Sequence, residues 1–329
     1  MTLDERNLPA VIWAADARRA GLQSVVRGSA FMRAARGVYV PVGTDLSDPD
    51  VRIAVAAAGL PPSVVLGGWA AARLHERAAA DRRHGAPLVT FDGTDGTGRG
   101  RPQPVLLCAP PRTRLVPGEG RRLLRSVVPP DERTVLGGLP VTGLLRTAFD
   151  LARLADRTTA VAGLDRFRAL GLLEPDDLAR MIAGRPRWRG VDAARAALSL
   201  SADGVESPRE SILRLLWMDT GLAAPWCNAE IRDLSGRFVA RVDLLDPHLG
   251  LVGEYDGAYH SSAARRSADS LRQEQLEMIG ITVIRATAAD LSSSSRRRSW
   301  QQRLLAARGR AEGAAAEPRR WRATPTRSR

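Results

Sequence analysis

Two segments of alternating character, RFVARVDLLD at 237–246 and LVGEYDG at 251–257, are separated by only the four residues Pro247–Gly250. Period-two alternation of that length reads as two β-strands, and so short a link with proline and glycine in it reads as the turn of a hairpin. This part of the chain must therefore build a sheet. Upstream, Ser207-Pro208-Arg209-Glu210 has the marks of a helix start, with serine at the N-cap, proline in the first turn and glutamate reaching back, and the helix should run to about Thr220 before Gly221 stops it. Downstream, a polar helix is expected from about Ala263 to Ile279, then Gly280 and the β-branched strand ITVIRAT. The order is α-β-β-α-β, with one more strand expected near Cys227 to Asp233, and it describes a small mixed α/β domain.

The remainder of the chain is long enough for more than one such unit. At 329 residues, with 44% hydrophobic and 26% charged, two or three domains with real cores are expected. Cys108 and Cys227 stand in no CxxC pair, which fits a reducing cytoplasm rather than a disulfide scaffold. No stretch reaches the ~18 consecutive apolar residues of a membrane span, and the N-terminus lacks the order of a signal peptide, so a soluble cytoplasmic protein with no membrane partner is expected.

Residues 9–27 show helical spacing broken at Gly21, and FMRAARGVYVPV at 31–42 reads as a basic turn into a strand. Two short helices and a basic hairpin are the order of a winged helix-turn-helix, in which Arg33 and Arg36 would touch phosphate; a helical cap on the next domain fits the spacing too. Through 48–200, strands such as PVLLCAP and RSVVP alternate with helices such as VTGLLRTAFDLARLA, which Thr142 can cap and which carries Asp150 and Arg153 on its polar face. The glycine-dense DGTDGTGRGRP at 92–102 lacks the spacing and the lysine of a phosphate-binding P-loop and reads as a loop. From about Arg308 the chain reads as a mobile basic tail, after one short helix around Trp300, Leu304 and Leu305.

The net charge is +13, and all 49 cations are arginine, because the sequence contains no lysine. The charge is unevenly placed. Residues 204–290 carry 9 arginines against 13 acids, whereas residues 291–329 carry 11 against 2. A basic balance points to a polyanionic partner where it is concentrated on a folded surface.

Chemistry concentrates on the hairpin. Glu254 and Asp256, two apart on the second strand, leave it on the same face, and the turn brings Asp243 of the first strand alongside. Three carboxylates that close raise one another's pKa unless a cation neutralises them, which makes Mg²⁺ or Mn²⁺ the natural occupant. A metal so held orients water and stabilises the charge that grows on a phosphodiester.

The runs VESPRESILRLLW, ARVDLLDPHLGLVGEYDGAYH and LRQEQLEMIGITVIRATAADL resemble the small Vsr-like branch of the PD-(D/E)XK nuclease superfamily. The resemblance implies Asp243 and Glu254 as metal ligands, Asp256 in the slot where many members carry lysine, and Glu210 completing the site from the first helix. It implies His260 as acid, base or phosphate ligand, and an Asp-x-x-Arg feature at Asp269 and Arg272. In the N-terminal two thirds, ARGVYVPVG, VVLGGWAAARLHE and LPVTGLLRTAFDLARL resemble the AbiEi-type antitoxin family, which implies DNA binding at a promoter or a toxin protein as partner.

The expected fold class is thus α/β (α+β), divided into a winged-helix-like segment (1–45), an AbiEi-like α/β domain (46–203), a restriction-endonuclease-like mixed-sheet domain (204–291) and a mostly disordered basic tail (292–329). Two functions are compatible with this: a Mg²⁺-dependent DNA endonuclease-like enzyme, or a non-catalytic antitoxin-type DNA-binding regulator that keeps the nuclease fold as a scaffold. Without lysine, the charge at the scissile phosphate falls to Arg272, Gln273, His260 or a second metal. Glu210 reads equally well as the capping acid of its own helix, and His260 as a loop histidine.

Overall fold

The computed structural model describes residues 8–82, 90–95, 100–257, 263–315 and 318–325, with the backbone alone described at 81–82 and 263–270. The described residues are mixed α/β and form three sheets. The contacts of the chain divide it into two units, residues 1–94 with 102–151, and residues 95–101 with 152–329. No helix among the described residues is long and apolar enough to cross a membrane.

The first unit opens with β1 (Ile12–Trp13), α1 (Ala14–Arg19), α2 (Gln23–Val26), β2 (Phe31–Ala35) and β3 (Val38–Pro41), whose strands form a small antiparallel sheet in the order β1-β3-β2. Two short helices and a hairpin therefore stand where the sequence placed them, but they belong to one unit with residues 46–94 rather than to a separate domain. Next come α3 (Pro49–Ala57), β4 (Val65–Gly67), α4 (Gly68–Arg82), β5 (Val105–Ala109), β6 (Arg121–Arg125), β7 (Arg133–Leu136), β8 (Leu139–Thr142) and α5 (Leu144–Leu154). Asp48 starts α3 by accepting from the backbone N–H groups of Asp50 and Val51. The five strands lie in the order β6-β5-β4-β8-β7, and Ile53, Leu66, Trp69, Leu107 and Val141 fill the core against them.

Several local expectations need correction. The polar face of α5 that carries Asp150 and Arg153 is buried rather than solvent-facing, and Asp150 accepts from Arg146 Nε at 2.9 Å. Thr142 is buried at the end of β8 with its hydroxyl 2.6 Å from that of Thr147. The strand expected at RSVVP (125–129) lies four residues earlier, at Arg121–Arg125, and β7 and β8 add a short pair beyond the strands expected from the sequence. In the glycine-dense stretch, residues 96–99 lie outside the described residues.

The second unit contains α6 (Arg157–Ala169), α7 (Pro175–Ala183), α8 (Val191–Leu200), α9 (Pro208–Met218), β9 (Trp226–Asp233), β10 (Phe238–Asp246), β11 (Leu251–Asp256), α10 (Ala263–Met278), β12 (Thr282–Thr287), α11 (Ala288–Leu291), α12 (Ser294–Ala314) and β13 (Trp321–Thr324). Its sheet runs β12-β11-β10-β9-β13. β9, β10 and β11 form an antiparallel meander, β12 joins β11 in parallel, and β13 closes the far edge antiparallel to β9. Leu213 and Trp217 of α9 pack with Trp300 and Leu304 of α12 over Leu244 and Ile284. Leu276 of α10 packs with Leu245 and Val252. Because Val252 and Gly253 point to opposite faces, and a Cβ on Gly253 would lie 3.3 Å from the Trp217 ring, the two helical layers cover the sheet from opposite sides.

The boundary expected at 203 is displaced because α6 is tied to α9. Arg214 Nη2 donates to Asp165 Oδ2 at 2.9 Å, Ser211 donates to the same oxygen at 2.8 Å, and both charged groups are buried. Of the tail expected to be mostly disordered, Ser294–Ala314 forms α12 and Trp321–Thr324 forms β13, both folded parts of this unit. Trp300, Leu304, Ala307 and Ala311 recur on one face of α12 and are fully buried, which supplies the apolar surface that an arginine count conceals. β13 then returns to the sheet with Trp321 buried and packed close to Gly250, where an added Cβ would lie 3.1 Å from its ring.

Candidate functional site

The meander builds the site. Leu244 pairs with Gly253 across β10 and β11, so Asp243 and Glu254 fall opposite one another, and the parallel pairing of β11 with β12 sets Glu254 directly beside Arg285. Directly opposite residues present their side chains to the same face, so Asp243, Glu254 and Arg285 form a row across three strands. Together with Tyr255, Asp256, Gly257 and Arg272 they line an open recess of about 220 Å³. The three carboxylates expected on one surface do share it.

Glu254 is the most enclosed member, its side chain 9% exposed. Arg272 Nη2 lies 3.0 Å from each of its oxygens, and Arg285 Nε approaches to 3.6 Å. Arg272 also donates to the carbonyl of Arg241 at 3.2 Å, which fixes α10 against β10. Gln273, a candidate for the missing lysine, donates instead to Glu277 on its own helix. Asp243 Oδ2 accepts the backbone N–H of Tyr255 at 2.7 Å. Burial pushes the Asp243 carboxyl above the ordinary range and nearby Glu254 adds to this, while the Tyr255 N–H and the guanidiniums of Arg272 and Arg241 work against it.

Glu210 does not line the recess. Its backbone N–H donates to the Ser207 cap at 3.2 Å, and its carboxylate accepts the N–H of Glu206 at 3.0 Å and the Asn228 amide at 2.7 Å. Burial raises its proton affinity, and the negative charge of Asp243 acts in the same direction, so the two acids are within electrostatic reach. It is thus both a helix-start acid and a neighbour of the site. His260 lies outside the described residues, as does the side chain of Asp269. Asp246 is a turn residue, accepting from the N–H groups of His248 and Leu249 at 2.8 and 3.1 Å. Arg33 and Arg36 are exposed on the hairpin of the first unit, with Arg33 Nε donating to Ala35 O at 3.2 Å.

Two residues of the site were not singled out from sequence. Arg285 had a signal, an arginine inside the β-branched run ITVIRAT. Asn228 had none. It holds a left-handed φ of 50° inside β9 and falls opposite Asp243, and its amide joins the carbonyl of Gly204 to Glu210. Cys227 packs in the layer of α9, whereas Ala229 and Ile231 pack in the layer of α10. Residues 227 and 229 of a regular strand would share a face, and their partners Leu244 and Val242 on β10 divide between the layers in the same way, so both strands change layers at Asn228 and Asp243.

The donor set fits a hard divalent cation in its chemistry. Mg²⁺ takes one or two carboxylates and completes its shell with water and phosphate oxygens, and Asp243 and Glu254 are two such groups on one wall. The count stops there: among the described residues no group of three or more His, Cys, Asp and Glu side chains is arranged to hold a metal. Arg272 and Arg285 already neutralise Glu254, so a cation would bind in competition with them.

No protein-family model matches the chain, and no solved structure is a significant match. Among curated sequences it is similar to two proteins of Mycobacterium tuberculosis, the uncharacterized protein MT2308 of strain CDC 1551 / Oshkosh and the uncharacterized protein Rv2248 of strain H37Rv, each 30% identical over 146 residues. The match covers 44% of this chain and 54% of each relative, so the chain spans about half the length of the curated relatives it matches.

Proposed function

We propose that the recess around Asp243 and Glu254 is the Mg²⁺-dependent phosphodiester-hydrolysing site of a DNA endonuclease-like protein. The observation that carries this reading is the row Asp243–Glu254–Arg285, two carboxylates and a guanidinium side by side on neighbouring strands, facing an open recess that Arg272 completes. Two carboxylates side by side are the oxygen ligands a hard divalent cation takes, and Asp243, whose carboxyl is raised chiefly by burial and further by nearby Glu254, would be relieved by such a cation. A bound Mg²⁺ would supply Lewis acidity, orienting a water and making it easier to deprotonate. The chain's own residues do the rest: Asp243 and Glu254 fix the position, and Arg272 and Arg285 face the charge that develops on the phosphate. The helix–meander–helix–strand order of the second unit supports the same reading.

The test is nicking of supercoiled plasmid by the full chain in Mg²⁺ or Mn²⁺, beside an Asp243→Asn, Glu254→Gln double variant. Nicking by the parent and its loss in the variant is expected. Equal nicking by both, or none by either, overturns the catalytic reading.

A second reading draws on one specific observation: Glu254 is already neutralised by two arginines, as suits a retired site. The protein is then a non-catalytic, antitoxin-type regulator that binds DNA through Arg33 and Arg36 or engages a toxin partner. Gel shifts with the DNA upstream of its own gene test it: Arg33→Ala with Arg36→Ala should weaken binding, and unchanged affinity counts against it.

A further inference from the structure

We propose that Arg272 and Arg285 form a phosphate subsite that Glu254 holds closed and releases on ligating a divalent cation. The inference rests on the proposed cation position between Asp243 and Glu254, and is independent of whether hydrolysis occurs there.

Both guanidiniums line the recess, and both are directed at one carboxylate. Arg272 is 32% and Arg285 36% exposed in their side chains, against 9% for Glu254, so the acid lies at the base and the two cations at the rim. The two contacts differ in kind. Arg272 hydrogen-bonds Glu254 at 3.0 Å, whereas Arg285 stands at 3.6 Å, an ion-pair distance beyond a hydrogen bond. Glu254 therefore holds Arg285 by charge alone, and the guanidinium keeps a planar set of donors suited to a tetrahedral oxyanion. Arg285 is carried on a parallel pairing with β11, with its carbonyl accepting the indole N–H of buried Trp300 at 3.2 Å, so its backbone is fixed. In a chain without lysine, guanidinium is the side-chain cation available for the task.

A carboxylate cannot spend the same charge on two guanidiniums and a divalent cation. When Glu254 turns to a cation, the arginines lose their counter-charge and gain affinity for an anion. When an anion takes the arginines, Glu254 becomes a better ligand. Cation and phosphate must then strengthen each other's binding by the same factor, as linkage requires, with couplings of this type running roughly 5–150-fold.

The experiment is calorimetric titration of the full-length protein with two probes, each with and without Mg²⁺. One is inorganic phosphate; the other is a dinucleoside phosphonate, whose bridging methylene resists hydrolysis. The parent protein should bind probe at least about fivefold more tightly with Mg²⁺. Glu254→Gln should bind it without Mg²⁺ at least as tightly as the parent does with it, and lose the dependence. Arg285→Met should lose probe binding while binding Mg²⁺ alone more tightly than the parent, and Arg285→Lys should restore part of the probe affinity. The Arg285 side chain is part-exposed, and equal melting temperatures confirm that these variants fold.

Probe affinity unaffected by Mg²⁺ in the parent, or unchanged in Arg285→Met, overturns the proposal. Binding of the dinucleoside phosphonate assigns the subsite to a nucleic-acid backbone. Binding of inorganic phosphate alone assigns it to free phosphate or a terminal monoester, which upholds the subsite and overturns the endonuclease reading. Absent plasmid nicking with the coupling intact overturns that reading alone.

Discussion

At the scale of single residues, the site and the core place opposite demands on buried charge. Asp243 has its carboxyl raised above the ordinary value of 3.8, chiefly by burial. The folded chain thus binds this proton more tightly than the unfolded one, so its contribution to stability is fully present below that ordinary value and is lost as pH rises through the raised one. Asp243→Asn keeps an acceptor for the Tyr255 N–H and removes the loss. Its melting temperature at pH 7 should exceed the parent's, and the excess should vanish as pH falls below the ordinary carboxylate value of 3.8, as read by thermal melts across pH. Asp165 is the contrary case. Burial raises its pKa too, but Arg214 opposes that, and the Ala202 N–H and the Ser211 hydroxyl also bind the carboxylate. Arg214 Nε already lacks a hydrogen-bond partner, so Asp165→Ala strands a buried cation and should cost about 3–5 kcal/mol in urea unfolding. The sequence displayed Asp243, Glu254 and Asp256 because carboxylates in an apolar hairpin are conspicuous, and alternation alone puts them on one face. It could not display Asn228, whose role depends on a left-handed φ, a property of the backbone rather than of composition.

Among the elements, those with strong local signals were legible and those fixed by distant partners were not. α9, β10, β11, α10 and β12 lie within a residue or two of their expected bounds, because each has its own cap, alternation or stop glycine. For α12 the sequence offers only a short helix over residues 299–307 and a mobile tail from about Arg308, where the structure has one helix from Ser294 to Ala314. Its four buried residues include two alanines, which look neutral in sequence and become core only when the sheet lies beneath them. Leu304→Ala should therefore destabilise the second unit by about 2–5 kcal/mol in denaturant unfolding, the range for an emptied leucine site; a cost below about 0.5 kcal/mol would return α12 to the status of a solvated end. The boundary at 203 failed for the same reason: the helices of 152–203 look like the close of an earlier domain until Asp165 meets Arg214.

For the molecule as a whole, the charge of +13 was the first pointer to a polyanion. Its densest part now lies on a folded helix, where Arg296, Arg298, Arg303, Arg308 and Arg310 are exposed, rather than in a tail. Arg33 and Arg36 are exposed in the other unit. If both make phosphate contacts, replacing the pair with alanine should lower the slope of log affinity against log salt by about 1.8 on duplex DNA, since each contact contributes about 0.9; an unchanged slope would exclude them from the interface. The row of Asp243, Glu254 and Arg285 also has a kinetic meaning. Two of its members meet through a tight hairpin turn, whereas the third arrives only after the chain has crossed over through α10 and docked β12 in parallel. A closure of that span spends chain entropy before any contact repays it, so it belongs late in folding. Until then the two carboxylates face each other without their guanidinium, and the recess has no anion-binding wall. A folding chain thus holds an acidic hairpin first and a complete site last.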